Sequence, residues 1–434
     1  MPEISVIMPS YNVKAFIRES VCSVLDQTMR DIEVLCIDAG SGDGTWEILQ
    51  ELSKKDRRIC LYQSDIKSYG YQINMGIRLA KGDYIAVVET DDYIDPGMYE
   101  KLFGTAKKYD CDYVKSDYIA YWTQVTGKRY FVRKRIFITD ELYNRVIEPA
   151  KHAQISSDDW YLWNGIYKRS FIMQHRIRLH ETRGAAFQDI GFLYQTIIYA
   201  KRAFYLKDTF YRYCIDRCDS SSNSGKALEY ACQEFQKLIE EAEKETDHVR
   251  LQALYIRMSK SFICCYPDVD LKSPERDAEK ETLYYIWFRE QLEKAVQNQL
   301  INREVIHPGI WDRLNALLIS EDCYYNNIQN HNQALTQQLG DHRKYPVIIF
   351  GCGHYGYLAY QWLKKRQYSV LAFMDNNREV WGNTINGIVV RSPGDISALG
   401  KNVKYLVAST LYYQDIVKQL SKSGIGEERI VVFT

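Results

Sequence analysis

At 434 residues, with 46% hydrophobic and 26% charged residues, the chain is too long for one core and has the composition of an ordinary soluble globular protein. Its 56 lysines and arginines balance its 56 aspartates and glutamates, so the charge argues for no nucleic-acid partner. The 11 cysteines are odd in number and scattered through apolar patterns, which reads as reduced thiols; no apolar run nears a membrane span, and the N-terminus has no signal-peptide pattern.

Residues 4–8 (ISVIM) read as a buried strand that runs into the turn cluster Pro9-Ser10-Tyr11-Asn12. Ile17, Val21, Val24 and Leu25 then repeat at helical spacing. A second strand at 33–37 (EVLCI) precedes Asp38 and the loop Gly40-Ser41-Gly42-Asp43-Gly44, whose glycines let backbone approach a ligand closely. A third strand at 59–62 and a helix carrying Asn74-Met75-Gly76-Ile77 lead to Tyr84–Val88, an apolar run typical of a strand buried on both faces. Glu89, Asp91 and Asp92 follow directly. A core strand cannot carry three carboxylates, so they belong at its carboxyl end, where open α/β sheets bind ligands and where Mg²⁺ or Mn²⁺ would be held. Taken alone, a solvated acidic turn before Pro96 reads the same way. Short buried strands alternating with helices predict a doubly wound α/β sheet.

Four segments, in this order and spacing, resemble the GT-A glycosyltransferases of family 2: the first strand with Pro9, Tyr11 and Asn12; Asp38 with its glycine loop; Asn74 to Ile77 with Ala80 to Ile85; and Glu89-Thr90-Asp91-Asp92. The resemblance covers about residues 1–222 and implies a GT-A domain of the nucleotide-diphospho-sugar transferase type. It further implies that Pro9, Tyr11, Asn12, Asp38, Asn74 and Asp91 bind the nucleotide sugar, with Tyr11 near the base and Asp38 on the uracil. Asp92 and Asp91 would hold Mg²⁺ or Mn²⁺ against the diphosphate. Two positions depart from the family: Ala39 stands where a second acid is common, and Glu89 where Asp is more usual.

From Trp160 to Tyr213 the chain resembles the acceptor-side half of the same family, in which a carboxylate at a helix start is the catalytic base. The matching residue is Asp189, preceded by Gln188 where an acid is more usual. Helix capping is the alternative reading of an Asp in that place, and the four upstream motifs favour the base. His180, Glu181, Thr182 and Arg183 would line the acceptor or donor-sugar pocket, or form a surface turn.

The serine-rich 220–225 segment marks an expected end of the catalytic domain, and residues 223–340 read as a helical region or linker, with breaks at Pro267 and Pro274. Residues 341–434 read as a small Rossmann-like α/β domain. There Gly351, Gly353 and Gly356 follow a strand, and Asp375 ends the next one, as in a second nucleotide site.

The resemblance therefore implies a metal-dependent, inverting hexosyltransferase moving a sugar, from a UDP-sugar, to a hydroxyl of a glycan or lipid-linked glycan in polysaccharide biosynthesis. Such an enzyme would be cytoplasmic, with peripheral association at the inner membrane face and self-association both compatible with the sequence. Two alternatives stand beside it. A nucleotidyltransferase would need a basic glycine-rich phosphate loop after the first strand, where this chain has Pro9 to Asn12. A non-catalytic nucleotide-sensing scaffold with a degenerate transferase domain is kept open by Ala39, Glu89 and Gln188.

Overall fold

This computed structural model describes residues 2–123, 129–185, 187–215, 226–242, 246–265, 278–400, 402–409 and 413–433. The break expected at 220–225, Pro267 and Pro274 lie outside the described residues. Contacts divide the chain into two units, Met1–Trp122 with Arg133–Glu321 and Thr123–Val132 with Asp322–Thr434.

The chain runs through β1 (Ile4–Ser10), α1 (Ile17–Leu25), β2 (Ile32–Asp38), α2 (Thr45–Ser53), β3 (Ile59–Gln63), α3 (Tyr69–Leu79), β4 (Tyr84–Val87), β5 (Tyr93–Ile94), α4 (Met98–Tyr109) and β6 (Tyr113–Thr123). There follow β7 (Arg129–Lys134), β8 (Val146–Ile147), α5 (Ala153–Asp158), β9 (Gly165–Lys168), α6 (Arg169–Gln174), α7 (Gln188–Tyr199) and β10 (Ala203–Cys214). Every residue of β1, β2 and β4 is buried. Alternation along these strands feeds two cores. Val6 and Met8 pack with Val34, Cys36 and the α1 residues Ile17, Val21 and Val24 on one face. Ile7 packs with Leu35, Ile37 and the α3 residues Ile73 and Ile77 on the other. Helices thus cover both faces, which is why these strands are apolar throughout.

The first sheet has the order β3-β2-β1-β4-β9-β6-β10-β5. β2 and β3 lie on one side of β1 and β4 on the other, all parallel, so the order reverses at β1 and a crevice opens beyond the carboxyl ends of β1 and β4. The sheet is mixed: β9 runs antiparallel between β4 and β6.

Helices α8 (Ala227–Ala242), α9 (His248–Cys265), α10 (Ala278–Gln297) and α11 (Pro308–Ile319) belong to this same unit. The α9 helix packs on α5, α7 and α8, and Phe262 stacks on Phe288 at 4.9 Å between ring centroids. The region expected as a separate middle part is therefore, as far as Glu321, built onto the elements of the first sheet.

The second unit carries α12 (Glu321–Leu339), β11 (Val347–Phe350), α13 (His354–Lys365), β12 (Val370–Met374), β13 (Thr384–Ile385), β14 (Ile388–Arg391), β15 (Lys404–Val407), α14 (Tyr413–Lys422) and β16 (Ile430–Val432). Its sheet has the order β13-β14-β12-β11-β15-β16, parallel except for β13 against β14. Among the described residues no helix is long and apolar enough to cross a membrane.

Candidate active site

The loops that follow β1 and β2 are bound to each other. Asp38 is fully buried. Its Oδ1 accepts from the amides of Gly40 (3.0 Å) and Ser41 (2.8 Å), and its Oδ2 from the hydroxyls of Ser10 (2.9 Å) and Ser41 (2.6 Å). A carboxylate has about four acceptor positions, and the loop uses all of them. Asp38, expected on the uracil, is thus turned into the protein. Asn12, at φ 52°, accepts from the Gly42 amide at 2.9 Å and donates its own amide to Ser41 Oγ at 2.8 Å. Gln72 of α3 donates to the carbonyls of Ser10 (3.1 Å) and Ile37 (2.6 Å), pinning both strand ends. The side chain left at the surface is Tyr11, 44% exposed, with Lys67 Nζ donating to its hydroxyl at 2.7 Å. Pro9 gives its carbonyl to Thr90 Oγ1 at 2.8 Å, so the acidic segment after β4 is fastened to the end of β1.

In that segment Glu89 accepts from the Tyr69 hydroxyl at 2.5 Å, and its amide donates to the Tyr211 hydroxyl at 3.0 Å. Tyr211 in turn donates to Asp92 Oδ2 at 2.9 Å, and the Cys214 amide donates to Asp92 Oδ1 at 2.8 Å. Asp92 is 2% exposed. Burial, and then the charge of Asp91, push its carboxyl well above the usual carboxylate range. Both Asp92 oxygens tie β10 to the acidic segment, one hydrogen bond to each. Glu89 and Asp91 are the partly exposed carboxylates.

Among the described residues no group of three or more His, Cys, Asp or Glu side chains is arranged to hold a metal ion. Mg²⁺ and Mn²⁺ are commonly held by one or two carboxylates completed by substrate phosphates and water, and Asp91 at the crevice fits that smaller donor set.

The segment before α7 is fastened by α3. Asn74, expected on the nucleotide sugar, is buried and spends its amide on the backbone instead. Its Nδ2 donates to Leu179 O (2.9 Å) and Glu181 Oε1 (3.0 Å), and its Oδ1 accepts from the Leu179 amide at 3.0 Å. The approach is close enough that a Cβ on Gly70 would sit 2.1 Å from His180 O. His180 faces α8: Nδ1 lies 2.9 Å from Glu234 Oε1 and Nε2 lies 3.3 Å from Glu241 Oε1. Burial alone would lower this imidazole, but the two glutamates carry it up to about 9. Both ring nitrogens of His180 are thus directed to glutamates of α8. Thr182 Oγ1 accepts from Gln188 Nε2 at 2.8 Å, while Glu181 and Arg183 are exposed.

Asp189 lies in the first turn of α7. The cap position belongs to Phe187, at φ 64° and without a side-chain cap. Burial pushes the Asp189 carboxyl up to about 6, with the Arg257 guanidinium pulling it down and Glu234 pushing it further up. The Asp189 charge also reaches Tyr69, the residue bonded to Glu89.

Behind it lies a buried polar group that sequence reasoning missed. Lys115 of β6 pairs with Asp159 Oδ1, and the Tyr205 hydroxyl donates to Asp159 Oδ2 at 2.8 Å. Arg257 of α9 donates from Nη1 to the carbonyls of Asp159 (2.9 Å) and Ser156 (3.3 Å). The available signal for Arg257 was a charge on the apolar stripe that Leu254, Met258 and Ser261 share. For Tyr69 and Tyr211 there was none among 35 tyrosines.

In the second unit, Gly351 (φ 117°) and Gly356 serve packing: a Cβ would meet Ala408 O at 2.6 Å and Gly351 O at 2.0 Å, respectively. Asp375 Oδ2 accepts from the Cys352 amide and Oδ1 from the Asn377 amide, both at 2.8 Å. The acid expected in a second nucleotide site thus holds the glycine loop itself. Gly353 has no backbone atom in that role.

Residues 5–159 match glycosyl transferase family 2, and residues 343–431 match the family described as C2185-like, N-terminal. The chain is 30% identical over 182 residues to the uncharacterized glycosyltransferase EpsJ of Bacillus subtilis, covering 42% of this chain and 52% of that protein. It is 29% identical over 216 residues to the putative glycosyltransferase EpsH of the same organism, covering 49% and 61%. The chain thus spans about half the length of these relatives. In fold it is similar to residues 1–349 of S. aureus TarS in complex with UDP-GlcNAc, with TM-score 0.57 and 18% identity over 77% of this chain and 92% of that one. Residues 5–159 are a family 2 glycosyl transferase domain, set in a GT-A-like sheet.

Proposed function

We propose that this chain is a metal-dependent, inverting glycosyltransferase that moves a sugar from a UDP-sugar to a hydroxyl of a glycan or lipid-linked glycan. The observation that carries it is the acidic segment Glu89–Asp92 at the carboxyl end of β4, fastened to the end of β1 through Thr90 and to α3 and β10 through Tyr69 and Tyr211. The family 2 match and the likeness to TarS, which was crystallised with UDP-GlcNAc, support a UDP-sugar donor.

In this reading Tyr11 stacks near the base, while Pro9, Asn12 and Asp38 shape the loops that receive the nucleotide. Asp91 would hold Mg²⁺ or Mn²⁺, whose chemistry is to neutralise charge growing on the leaving diphosphate. Asp189 takes the proton of the acceptor hydroxyl as its oxygen bonds to the anomeric carbon. The bond from that carbon to the diphosphate breaks with its electron pair on the phosphate oxygen, on the opposite face. Residues 341–434 act in this account as a Rossmann-like accessory unit.

The test is a screen of nucleotide sugars for release of nucleoside diphosphate, with and without Mn²⁺. The expected result is Mn²⁺- or Mg²⁺-dependent UDP release from a UDP-sugar, lost in Asp91→Ala. Release from no nucleotide sugar under any metal condition would contradict it.

A further inference from the structure

Glu89 stands where an aspartate is more usual, and its added methylene has a use in this chain. The longer side chain reaches α3, where the Tyr69 hydroxyl donates to Glu89 Oε1 at 2.5 Å. The backbone of Glu89 is held as well: its amide donates to the Tyr211 hydroxyl at 3.0 Å, and its carbonyl accepts from Ser20 Oγ of α1 at 3.2 Å. A glutamate side chain has several rotatable bonds, so a hydrogen bond from a fixed phenol decides where its charge stands.

Tyr69 is itself fixed from the other direction. It opens α3 directly after Ser68, whose hydroxyl caps the helix by accepting from the Tyr71 amide at 3.2 Å. The Tyr69 amide donates to Gly184 O at 2.9 Å, and the Gly184 amide donates to Lys67 O at 2.8 Å. This short bridge joins the start of α3 to the segment that leads into α7. Gln188 Nε2, next to Asp189 in the chain, donates to the same Gly184 oxygen at 3.2 Å.

We propose that Tyr69 is a positioning residue for sugar transfer, and that position 89 is a glutamate because its carboxylate must reach Tyr69. One residue of α3 then holds the acidic segment through its hydroxyl and the segment before Asp189 through its amide. This rests on the reading of the crevice as a transferase site. Shortening Glu89 to aspartate withdraws the carboxylate from Tyr69, and removing the Tyr69 hydroxyl breaks the same bond from the other end. Their effects should therefore not add. Aspartate, the more usual residue, should serve this chain worse than glutamate.

The experiment is single-turnover release of UDP by the full chain, from the UDP-sugar that the parent turns over, at saturating donor with Mn²⁺ present. The parent, Tyr69→Phe, Glu89→Asp and the double variant are compared, with a melting curve and donor affinity for each. Rates are read well below every melting temperature, where a merely structural joint would leave the rate of the folded protein unchanged. Each single variant should lose about tenfold or more in rate, the worth of a hydrogen bond to a charged group, with donor affinity within about threefold of the parent's. The double variant should be no slower than the slower single one. Glu89→Asp keeps the charge while breaking the same bond, so it carries the test if Tyr69→Phe folds poorly. Tyr69→Phe at the parental rate, a double variant whose loss is the product of the single losses, or a loss confined to donor affinity would overturn the proposal. A parent that releases nucleoside diphosphate from no nucleotide sugar removes the transferase reading and the inference together, whereas an active parent beside an unaffected Tyr69→Phe removes the inference alone.

Discussion

Tyr211 and Asp92 form the joint between β10 and the acidic segment: the tyrosine hydroxyl donates to Asp92 Oδ2 at 2.9 Å and accepts from the Glu89 amide at 3.0 Å. The two adjacent aspartates differ in burial: Asp92 is buried and Asp91 is partly exposed. Asp92→Ala removes the acceptor of the buried Tyr211 hydroxyl, and such a loss costs about 1–3 kcal/mol. Its melting temperature should fall clearly. Asp91→Ala should change stability by no more than about 0.5 kcal/mol while abolishing Mn²⁺-dependent binding of a UDP-sugar. Calorimetry beside thermal melts reads both; equal stability of the two variants would contradict the division.

Asn74 separates a backbone clamp from a nucleotide contact. Asn74→Ala removes three hydrogen bonds to the Leu179–Glu181 segment and should cost about 1–3 kcal/mol in stability. Donor affinity should stay within about twofold, since RT is about 0.6 kcal/mol and no donor contact is lost. A tenfold weaker donor Kd at unchanged stability would return Asn74 to the nucleotide.

His180 gives the fold an alkaline limit. Its imidazole ordinarily titrates near 6.5 and is carried to about 9 in the folded chain, so its stabilisation is fully present below about 6.5 and is lost as pH rises through about 9. The size is on the order of 1–3 kcal/mol. Melts of the parent should decline across that window, and His180→Gln should melt lower below it and show a flatter decline. Parallel curves for the two proteins would contradict this.

The second unit offers a test of packing against ligand binding. Gly351→Ala forces a side chain into a positive φ and within 2.6 Å of Ala408 O, and should destabilise that unit by about 2–4 kcal/mol. Asp375→Ala removes the acceptor of the part-buried Cys352 amide and should cost about 1–3 kcal/mol. Hydrogen exchange of residues 347–433 reads these losses. Unchanged exchange, with loss of binding to a nucleotide by either variant, would reassign the glycine loop to a ligand.

Patterns set by short-range chemistry were legible in the chain. Continuous apolar runs announced β1, β2 and β4, and turn residues placed Tyr11, Asp38 and Asp91 at one sheet edge. The antiparallel β9 was not legible, because Gly165–Lys168 is four residues long and its pairing partners are 50 or more positions away. The division of labour between Asp91 and Asp92 was hidden for the same reason. It depends on Tyr211 and Cys214, more than 100 residues downstream. Asp38 and Asn74 sit where their motifs predicted, yet their oxygens and amides are consumed by neighbouring loops, which a motif does not show.

The claim at the centre of this account is that Asp189 removes the acceptor proton, and one measurement bears on it directly: single-turnover sugar transfer by Asp189→Asn at saturating donor and acceptor, with a melting curve on the same sample. Phe187 and not Asp189 occupies the cap of α7, so the amide should leave the helix intact and the melting temperature near the parent's. Loss of a general base typically costs about 10²- to 10⁴-fold in rate, or roughly 3–5 kcal/mol in the barrier. The account predicts a fall of that size with donor affinity retained; transfer within a few-fold of the parent, in a variant that folds and binds donor normally, would contradict it.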